Sequence, residues 1–416
     1  MPAFRRVWLG TTASAAGDSG SWIALVALSL GAAHASLPLL VVLYTAPVAV
    51  GGLVAGWALD RFDRRRLMIA DSVIRGAVFA WIPVTAAFGS VTAAQLYVVA
   101  AVYGLLKMVS LAGFPALIPS LVPESHLERA NALEGASFGL ASLAGAALAG
   151  LGVATIGAAH IVAVDAASYF ALALSLLSVR DLSRRFMPAR RPQTEQAHHT
   201  GLAEVLRLVA TNPVLRTTTI MFALFNVGEG ALLVYLPHRA VGLGLGSGGY
   251  GYLVAAATGG QLVAAAFLAS RPWKFSLRAS IVAAQLAAAT TVMALVVQSV
   301  TTTVLALAAL GVCSAPMTAW AQTLRMRLAP PESHGRLFAL LRTTMQATPP
   351  LGAGLAALTL AHGNTATLVA AAAAMGLPAM LLGPALIRAP DAAQRQAHPA
   401  SQPTTPERED DPQRAV

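Results

Sequence analysis

Residues 38–66 read PLLVVLYTAPVAVGGLVAGWALDRFDRRR. No charged side chain interrupts positions 38–59, and then six of the seven positions 60–66 carry charge. A run of about 20 uncharged residues is what an α-helix needs to cross the hydrocarbon core of a bilayer. A cluster of arginines at the end of such a run sits at the water interface and fixes the direction of insertion. Lipid offers no hydrogen-bond partner to the backbone, so a spanning segment is either a helix or one strand of a closed barrel. Barrel strands alternate over about ten residues, whereas this run stays apolar for twice that length. It reads as a helix.

The same pattern repeats along the 416 residues. The chain is 56% hydrophobic and only 11% charged, against about a quarter charged in a soluble domain. Twelve spans are expected, at 7–30, 38–59, 67–89, 92–114, 132–155, 158–179, 214–236, 249–270, 277–298, 302–325, 337–360 and 364–387. The fold class is therefore an all-α membrane protein. The stretch 180–213, rich in Arg, Pro, Gln and His, divides it into an N-terminal six-helix bundle (1–179) and a C-terminal one (214–387), with a polar tail at 388–416 that reads as disordered. The opening Arg5-Arg6 and the run ending in Ala33-His34-Ala35 imitate a cleaved leader. The run at 7–30 is long enough to span and holds Asp18, so it is expected to stay as the first helix.

The net charge of +10 does not point to nucleic acid, because the cations mark span ends. Arg5, Arg6, Arg61, Arg64, Arg65, Arg66, Arg129, Arg180, Arg184, Arg185, Arg190, Arg191, Arg271, Lys274, Arg325, Arg327, Arg336, Arg388 and Arg395 fall on one side. Arg239 alone falls in the opposite loops. That asymmetry puts both termini in the cytoplasm. The Ala- and Arg-rich, Lys-poor composition suggests a GC-rich bacterial genome, hence a bacterial inner membrane. A single cysteine, Cys313, allows no intrachain disulfide. His198 and His199 in the linker read as solvated residues, and neither a metal nor a cofactor is expected.

The two halves echo one another. Pro115 precedes a polar loop ending in Arg129-Ala130-Asn131, and Pro316 precedes one ending in Gly335-Arg336-Leu337. Glycines follow in spans five (Gly145, Gly150, Gly152) and eleven (Gly352, Gly354). A doubled architecture is how many transporters build a site at the interface of two rocking halves.

Ionisable residues inside lipid are costly and face a partner or a watery cavity. Asp18 in span one and Glu229 in span seven fall near mid-membrane, at corresponding places in the two halves. A carboxyl in dry surroundings favours its neutral form, so each is a candidate proton carrier. The structural alternatives are that Asp18 caps a broken helix and that Glu229 bonds Asn226 or nearby hydroxyls. Lys107 and Asn226 are substrate-cavity candidates, with a fixed ion pair the competing role for Lys107. Asp71 and Arg75 are one turn apart and can pair on one helix face. Asp165 reads as a satisfied polar residue nearer the outer surface. Gln261, Gln285 and Gln298 are possible path-lining amides.

The loop Gly56-Trp57-Ala58-Leu59-Asp60-Arg61-Phe62-Asp63-Arg64-Arg65-Arg66 resembles that of the major facilitator superfamily, Gly-x-x-x-Asp-Arg-x-x-Arg-Arg/Lys. The resemblance implies a cytoplasmic gate built by Gly56, Asp60, Arg61 and Arg65. Gly56 would let helices approach, and Asp60 would face the N-terminal end of span eleven. Asp71 and Arg75 are assigned to the same latch. Asp63 stands where the family commonly has glycine. Phe4-Arg5-Arg6-Val7-Trp8-Leu9, Ser14-Ala15-Ala16-Gly17-Asp18, Asp71-Ser72-Val73-Ile74-Arg75, Leu117-Ile118-Pro119-Ser120-Leu121-Val122-Pro123, Arg129-Ala130-Asn131-Ala132 and His334-Gly335-Arg336-Leu337 narrow the resemblance. They are similar to enterobactin exporters and macrolide efflux proteins. The antiporter signature of span five survives only as Gly145-Ala146-Ala147-Leu148-Ala149-Gly150, without its proline.

No Gly-x-x-x-x-Gly-Lys-Ser/Thr stretch is present to hold ATP phosphates, and no nucleophile–base set or His-Glu-x-x-His cluster points to an intramembrane enzyme. No catalytic residue is assigned. The resemblance implies a monomeric exporter of a small amphiphilic molecule such as an antibiotic, drug or siderophore, driven by proton antiport. An importer, a facilitator or a non-transporting membrane protein remain the alternatives. The partners expected are the small-molecule substrate, protons and the lipid bilayer.

Overall fold

The computed structural model describes residues 2–32, 34–179, 202–246, 248–271, 273–329 and 334–389. Among the described residues every regular element is helical. The N-terminal half comprises α1 (Pro2–Gly31), α2 (Leu37–Arg61), α3 (Arg64–Phe88), α4 (Ala93–Leu121), α5 (Leu127–Thr155) and α6 (Ala158–Leu177). After α7 (Leu202–Thr211) come α8 (Pro213–Gly242), α9 (Gly249–Ser270), α10 (Leu277–Ala294), α11 (Val300–Leu328), α12 (His334–Ala347), α13 (Pro349–Leu360) and α14 (Asn364–Arg388). Short polar caps make the tight reversals possible. Asp63 accepts from the Arg66 amide at 2.8 Å to start α3. Thr92 and Gln95 form a reciprocal capping box on α4, and Asn212 with Pro213 opens α8.

Among the described residues, ten helices are long and apolar enough to cross a membrane. The remaining two crossings are the unusual ones. α1 carries Thr11, Thr12, Ser14, Asp18, Ser19 and Ser21 along its length, which lowers its apolar character. The span expected to run unbroken over 337–360 is instead divided into α12 and α13 at Thr348. Pro349 and Pro350 explain that correction: neither offers an N–H, and their rings clash with the preceding turn. The linker also differs from expectation, since α7 lies within it and packs Val205 against Leu337 and Leu341 of α12. The rest of the linker (180–201, including His198 and His199) and the tail beyond 389 lie outside the described residues.

The helices pack as two copies of one plan. α1 rests on α5 and α6, α2 on α4, and α3 on α6. In the second half α8 rests on α13 and α14, α9 on α11, and α10 on α14, the same pairs six spans later. The halves meet where α5 packs on α9, and where α2 packs on α12 and α13. Swapping the halves exchanges the α5–α9 contact with the α2–α13 contact, which is the mark of a pseudo-twofold axis between the bundles. Outward faces are apolar: Leu53, Val164, Leu174, Val263, Leu305 and Leu381 are all more than 60% exposed. That inversion of the usual burial pattern suits lipid as the solvent.

Close packing inside each half depends on small residues. A Cβ on Gly104 of α4 would lie 2.6 Å from the Tyr44 carbonyl oxygen of α2, so only glycine lets these backbones touch. Gly56, expected to serve this purpose, does not: a Cβ there would meet nothing and the residue is exposed. The packing face of α2 passes through Gly51, where a Cβ would strike the Leu105 carbonyl. Gly56 lies five residues on, about 140° around the helix.

Candidate functional site

A cavity of about 570 Å³ lies between the halves, lined by α1, α2, α4, α5, α8, α9 and α11, with Leu172 of α6 and the first residue of α13. On α1 its wall runs from Trp8 to Trp22, about 21 Å of helix at 1.5 Å per residue. The wall is mixed. Trp8, Trp22, Tyr44, Tyr103, Phe114 and Phe138 supply aromatic faces, while Asp18, Lys107, Glu134, Asn226, Glu229 and Gln261 supply polar ones. Four residues singled out in the sequence, Asp18, Glu229, Lys107 and Asn226, thus face one space. Of the three amides, Gln261 lines the cavity. Gln285 is buried and donates to the Met221 and Met375 carbonyls at 3.1 and 2.8 Å, tying α10 to α8 and α14. Gln298 is exposed in a loop.

The N-terminal half builds a buried charge network behind this wall. Arg75 has a fully buried side chain and pairs with Asp71, Nη2 to Oδ2 at 2.5 Å. Its other terminal nitrogen lies 3.7 Å from Asp18 Oδ1 and donates to Tyr169 Oη at 3.3 Å. The guanidinium sits 4.4 Å from the Tyr169 ring centroid. Tyr169 Oη in turn donates to Asp18. Ser110 accepts from Arg75 and donates to Asp71 at 2.8 Å. One cation therefore serves two carboxylates while a phenol and a hydroxyl complete the shell. The expected i,i+4 pair forms, but its place is a correction. Arg75 stands eleven residues beyond Arg64, about 16 Å into α3, inside the bundle rather than in a loop latch. Asp18 caps no broken helix, since α1 is continuous through it.

Among the described residues, the C-terminal half has nothing similar. Glu229 lines the main cavity and a neighbouring one of about 340 Å³ walled by Phe222, Phe225, Met317 and Met345. Among the described residues it has no hydrogen-bond or ion-pair partner. Asn226 donates to the Phe222 carbonyl at 2.7 Å and not to Glu229. Lys107 faces the cavity with its Nζ 5.8 Å from the Tyr44 ring centroid and 5.7 Å from that of Tyr103, a cation–π arrangement. Arg239, expected in a loop, is buried within α8 and donates to the Val297 carbonyl and, at 3.3 Å, to Thr303.

The loop motif between α2 and α3 has a different structural character. Arg65 donates to the Leu176 and Leu177 carbonyls at 2.8 and 3.1 Å, satisfying the open C-terminal end of α6. Arg61 lies 6.0 Å from the Trp57 ring centroid. Arg64 reaches the Ala116 carbonyl of α4 at 2.9 Å. Asp63, standing where a glycine is common, is the N-cap of α3. The side chains of Asp60, Arg336 and Arg342 lie outside the described residues.

The family model described as Major Facilitator Superfamily matches residues 7–296 and 272–412. The chain belongs to that superfamily. It is 29% identical over 353 residues to the multidrug efflux pump Tap of Mycolicibacterium fortuitum, covering 82% of this chain and 83% of that protein. It is 24% identical over 265 residues to the uncharacterized MFS-type transporter YfiS of Bacillus subtilis, covering 60% and 62%. Among solved structures, an auto inhibited POT family peptide transporter superposes with a TM-score of 0.71 at 11% identity, covering 94% of this chain and 98% of that one. A bacterial homolog to the human lysosomal transporter Spinster gives 0.68 at 13% identity, covering 93% and 95%. At these identities the structures speak for the fold alone. The protein is a membrane transporter, not an enzyme.

In this major facilitator protein the end of the cavity farther from the arginine-rich loops is shut by residues the sequence reading missed. Trp22 Nε1 of α1 donates to Tyr250 Oη of α9 at 2.9 Å, a hydrogen bond between the halves. Beside it α5 and α9 touch backbone to backbone: a Cβ on Gly251 would lie 2.6 Å from Gly150 Cα. From Trp22 a row of rings leads inward through Tyr44 (centroids 4.3 Å), Tyr103 (4.5 Å) and Phe79 (5.9 Å) to Tyr169 (5.4 Å). The row joins the seal to the charge network. The available signal was that Trp22 stands one turn after Asp18 on the same face.

Proposed function

We propose that this transporter exports a small amphiphilic molecule in exchange for protons, by alternating access of the cavity between its two halves. The observation that carries the reading is that Asp18 of α1 and Glu229 of α8, equivalent helices of the two bundles, face the same cavity. A carboxyl there can alternate between charged and neutral as the cavity opens to either side. Aromatic walls with a few charges suit a drug, antibiotic or siderophore with apolar faces and polar groups. Export is favoured by the likeness to the Tap pump, by the sequence resemblance to the enterobactin and macrolide exporters, and by the small-residue face of α5. Asp18 and Glu229 are the proton-coupling candidates, and Lys107 and Asn226 the substrate contacts. Gly56, Asp60, Arg61 and Arg65 form the loop motif of the gate.

The arginine distribution argues for both termini in the cytoplasm of a bacterial inner membrane, with bundles at 1–179 and 214–387 joined by the linker 180–213. In that orientation the sealed end faces outward and the cavity lies toward the cytoplasm. The chain works as a monomer in this reading, because each monomer holds both halves of the site. The test is accumulation of ethidium, a fluorescent lipophilic cation, in a pump-deficient bacterial host carrying the chain. Lower accumulation that an uncoupler abolishes supports proton-driven export. Accumulation unaffected by expression, across ethidium and a panel of amphiphilic antibiotics, would reject export. Raised accumulation would favour import.

A further inference from the structure

Asp165 on α6 has no part in the site as described so far, yet it is a deeply buried carboxyl of the N-terminal half. It is 1% exposed. Its Oδ1 accepts from Ser168 at 3.0 Å, and its Oδ2 has no partner among the described residues. Ser21 Oγ of α1 is buried beside this carboxyl, close enough to interact with it but without a well-formed hydrogen bond. Asp165 and Tyr169 are one turn apart on α6 and face α1, where Tyr169 donates to Asp18. Asp165 presses on the residue before Asp18: a Cβ on Gly17 would overlap Asp165 Oδ1 and stand 2.9 Å from Ser168 Oγ. Glycine at position 17 is what gives this carboxyl its room.

The charged and titratable groups around it are few. α1 brings Asp18, α3 brings Asp71 and Arg75, and α6 itself brings Tyr169. α2 brings Tyr44, and α4 brings Tyr103 and Lys107, on the cavity side of Asp18. α5 meets α1 at this level through Gly145 and Ala149 and adds no charge. Arg75 is committed to Asp71 and Asp18. Among the described residues Asp165 therefore has no cation of its own, and a buried carboxylate without one takes up a proton instead. A proton on Oδ2 would be donated to Ser21 Oγ, the buried hydroxyl beside it, and would stand in place of a cation.

We propose that Asp165 is a second carboxyl of the proton site, titrating as a pair with Asp18. In the conformation described, Asp165 holds a proton toward Ser21 while Asp18 carries the charge against Arg75 and Tyr169. The pair then ionises in linked steps, because two carboxyls served by one shared arginine do not both give up their protons readily. The inference rests on Asp18 being a proton site, as proposed above.

Difference infrared spectroscopy of the full chain, purified in detergent and titrated from acid to alkaline pH without substrate, tests this. The wild type should show a protonated-carboxyl band at neutral pH that Asp165→Asn removes, and Asp18→Asn should move the remaining Asp165 titration to more acid pH, because the neighbouring charge that opposes it is gone. The pH profile of proton-driven ethidium transport should lose its alkaline step in Asp165→Asn. A purely structural Asp165 would leave both unchanged in Asp165→Asn, since asparagine makes similar hydrogen bonds; that result would overturn the proposal. Asp18→Asn separates the two claims. Normal coupled transport in Asp18→Asn defeats the reading of Asp18, whereas loss there with an unmoved Asp165→Asn profile defeats Asp165 alone. Should Asp165→Asn not fold, Ser21→Ala and the wild-type titration decide. Two linked carboxyl bands, one displaced by Ser21→Ala, support the pair, and a single band untouched by it refutes it.

Discussion

The two halves repeat each other in helix packing and differ in how they hold a carboxyl at the cavity. Asp18 is part of a shell of Arg75, Asp71, Tyr169 and Ser110, with 22% of its side chain exposed. Glu229 touches the same cavity and has no polar partner among the described residues. A buried, paired charge is held by its neighbours and is costly to disturb. A carboxyl facing open space is free to take its partner from whatever enters. Symmetry of the backbone thus comes with asymmetry of the chemistry, one half organised in advance and the other open to a ligand.

That contrast can be broken by substitution, and the effects should descend in order. Arg75→Met leaves Asp71 and Asp18 facing each other without their cation. It should destabilise the N-terminal half by about 3–5 kcal/mol, read as a fall in thermal unfolding temperature in detergent and loss of transport. Asp18→Asn keeps a hydrogen-bond acceptor for Tyr169 and leaves Arg75 paired with Asp71. Its stability cost should be smaller, about 1–3 kcal/mol, while proton-coupled transport falls at least as far as in Arg75→Met. Trp22→Phe removes the bond to Tyr250 that crosses between the halves, worth about 1 kcal/mol. It should raise labelling of a cysteine placed near Tyr250 by a membrane-impermeant thiol reagent, and unchanged labelling would remove Trp22 from the seal. Glu229→Gln should move the unfolding temperature least, within about 0.5 kcal/mol, because no neighbour loses a partner. Its transport should nevertheless be abolished. A large stability loss in Glu229→Gln would contradict the asymmetry.

The Asp63 cap offers a check outside the cavity. Asp63→Ala should cost about 1 kcal/mol through the exposed N-terminus of α3 and leave the pH dependence of transport as in wild type.

Much of the architecture could be read from the residues because lipid leaves a backbone so few options. The run 38–59 and its arginines predict α2 and the turn after it, and the same reasoning gives each remaining span. The failures have local causes. Pro349-Pro350 sit in an otherwise apolar run whose hydropathy alone does not mark the break between α12 and α13. Gly56 belonged to a motif and was given a packing role, although Gly51 and Gly104 carry the close contact. For the site, depth along a helix places Asp18 and Glu229 near mid-membrane without any knowledge of contacts. The Arg75–Asp18 bridge joins residues far apart in sequence, and only the rotation of α3 against α1 brings them together. Asp71–Arg75 was recognisable as a pair because it lies on one helix, but its neighbourhood was not. Trp22–Tyr250 spans 228 positions, beyond any local pattern.

The central claim is that protons and substrate move in opposite directions through one cavity. Proteoliposomes containing the purified chain, loaded with a pH-sensitive dye and given an acid lumen, measure both fluxes together when ethidium is added outside. The account predicts that ethidium concentrates in the lumen beyond equilibrium while the lumen loses protons in step, and that neither occurs with Asp18→Asn. Ethidium reaching the same concentration on both sides, with no proton movement tied to it, would contradict the account.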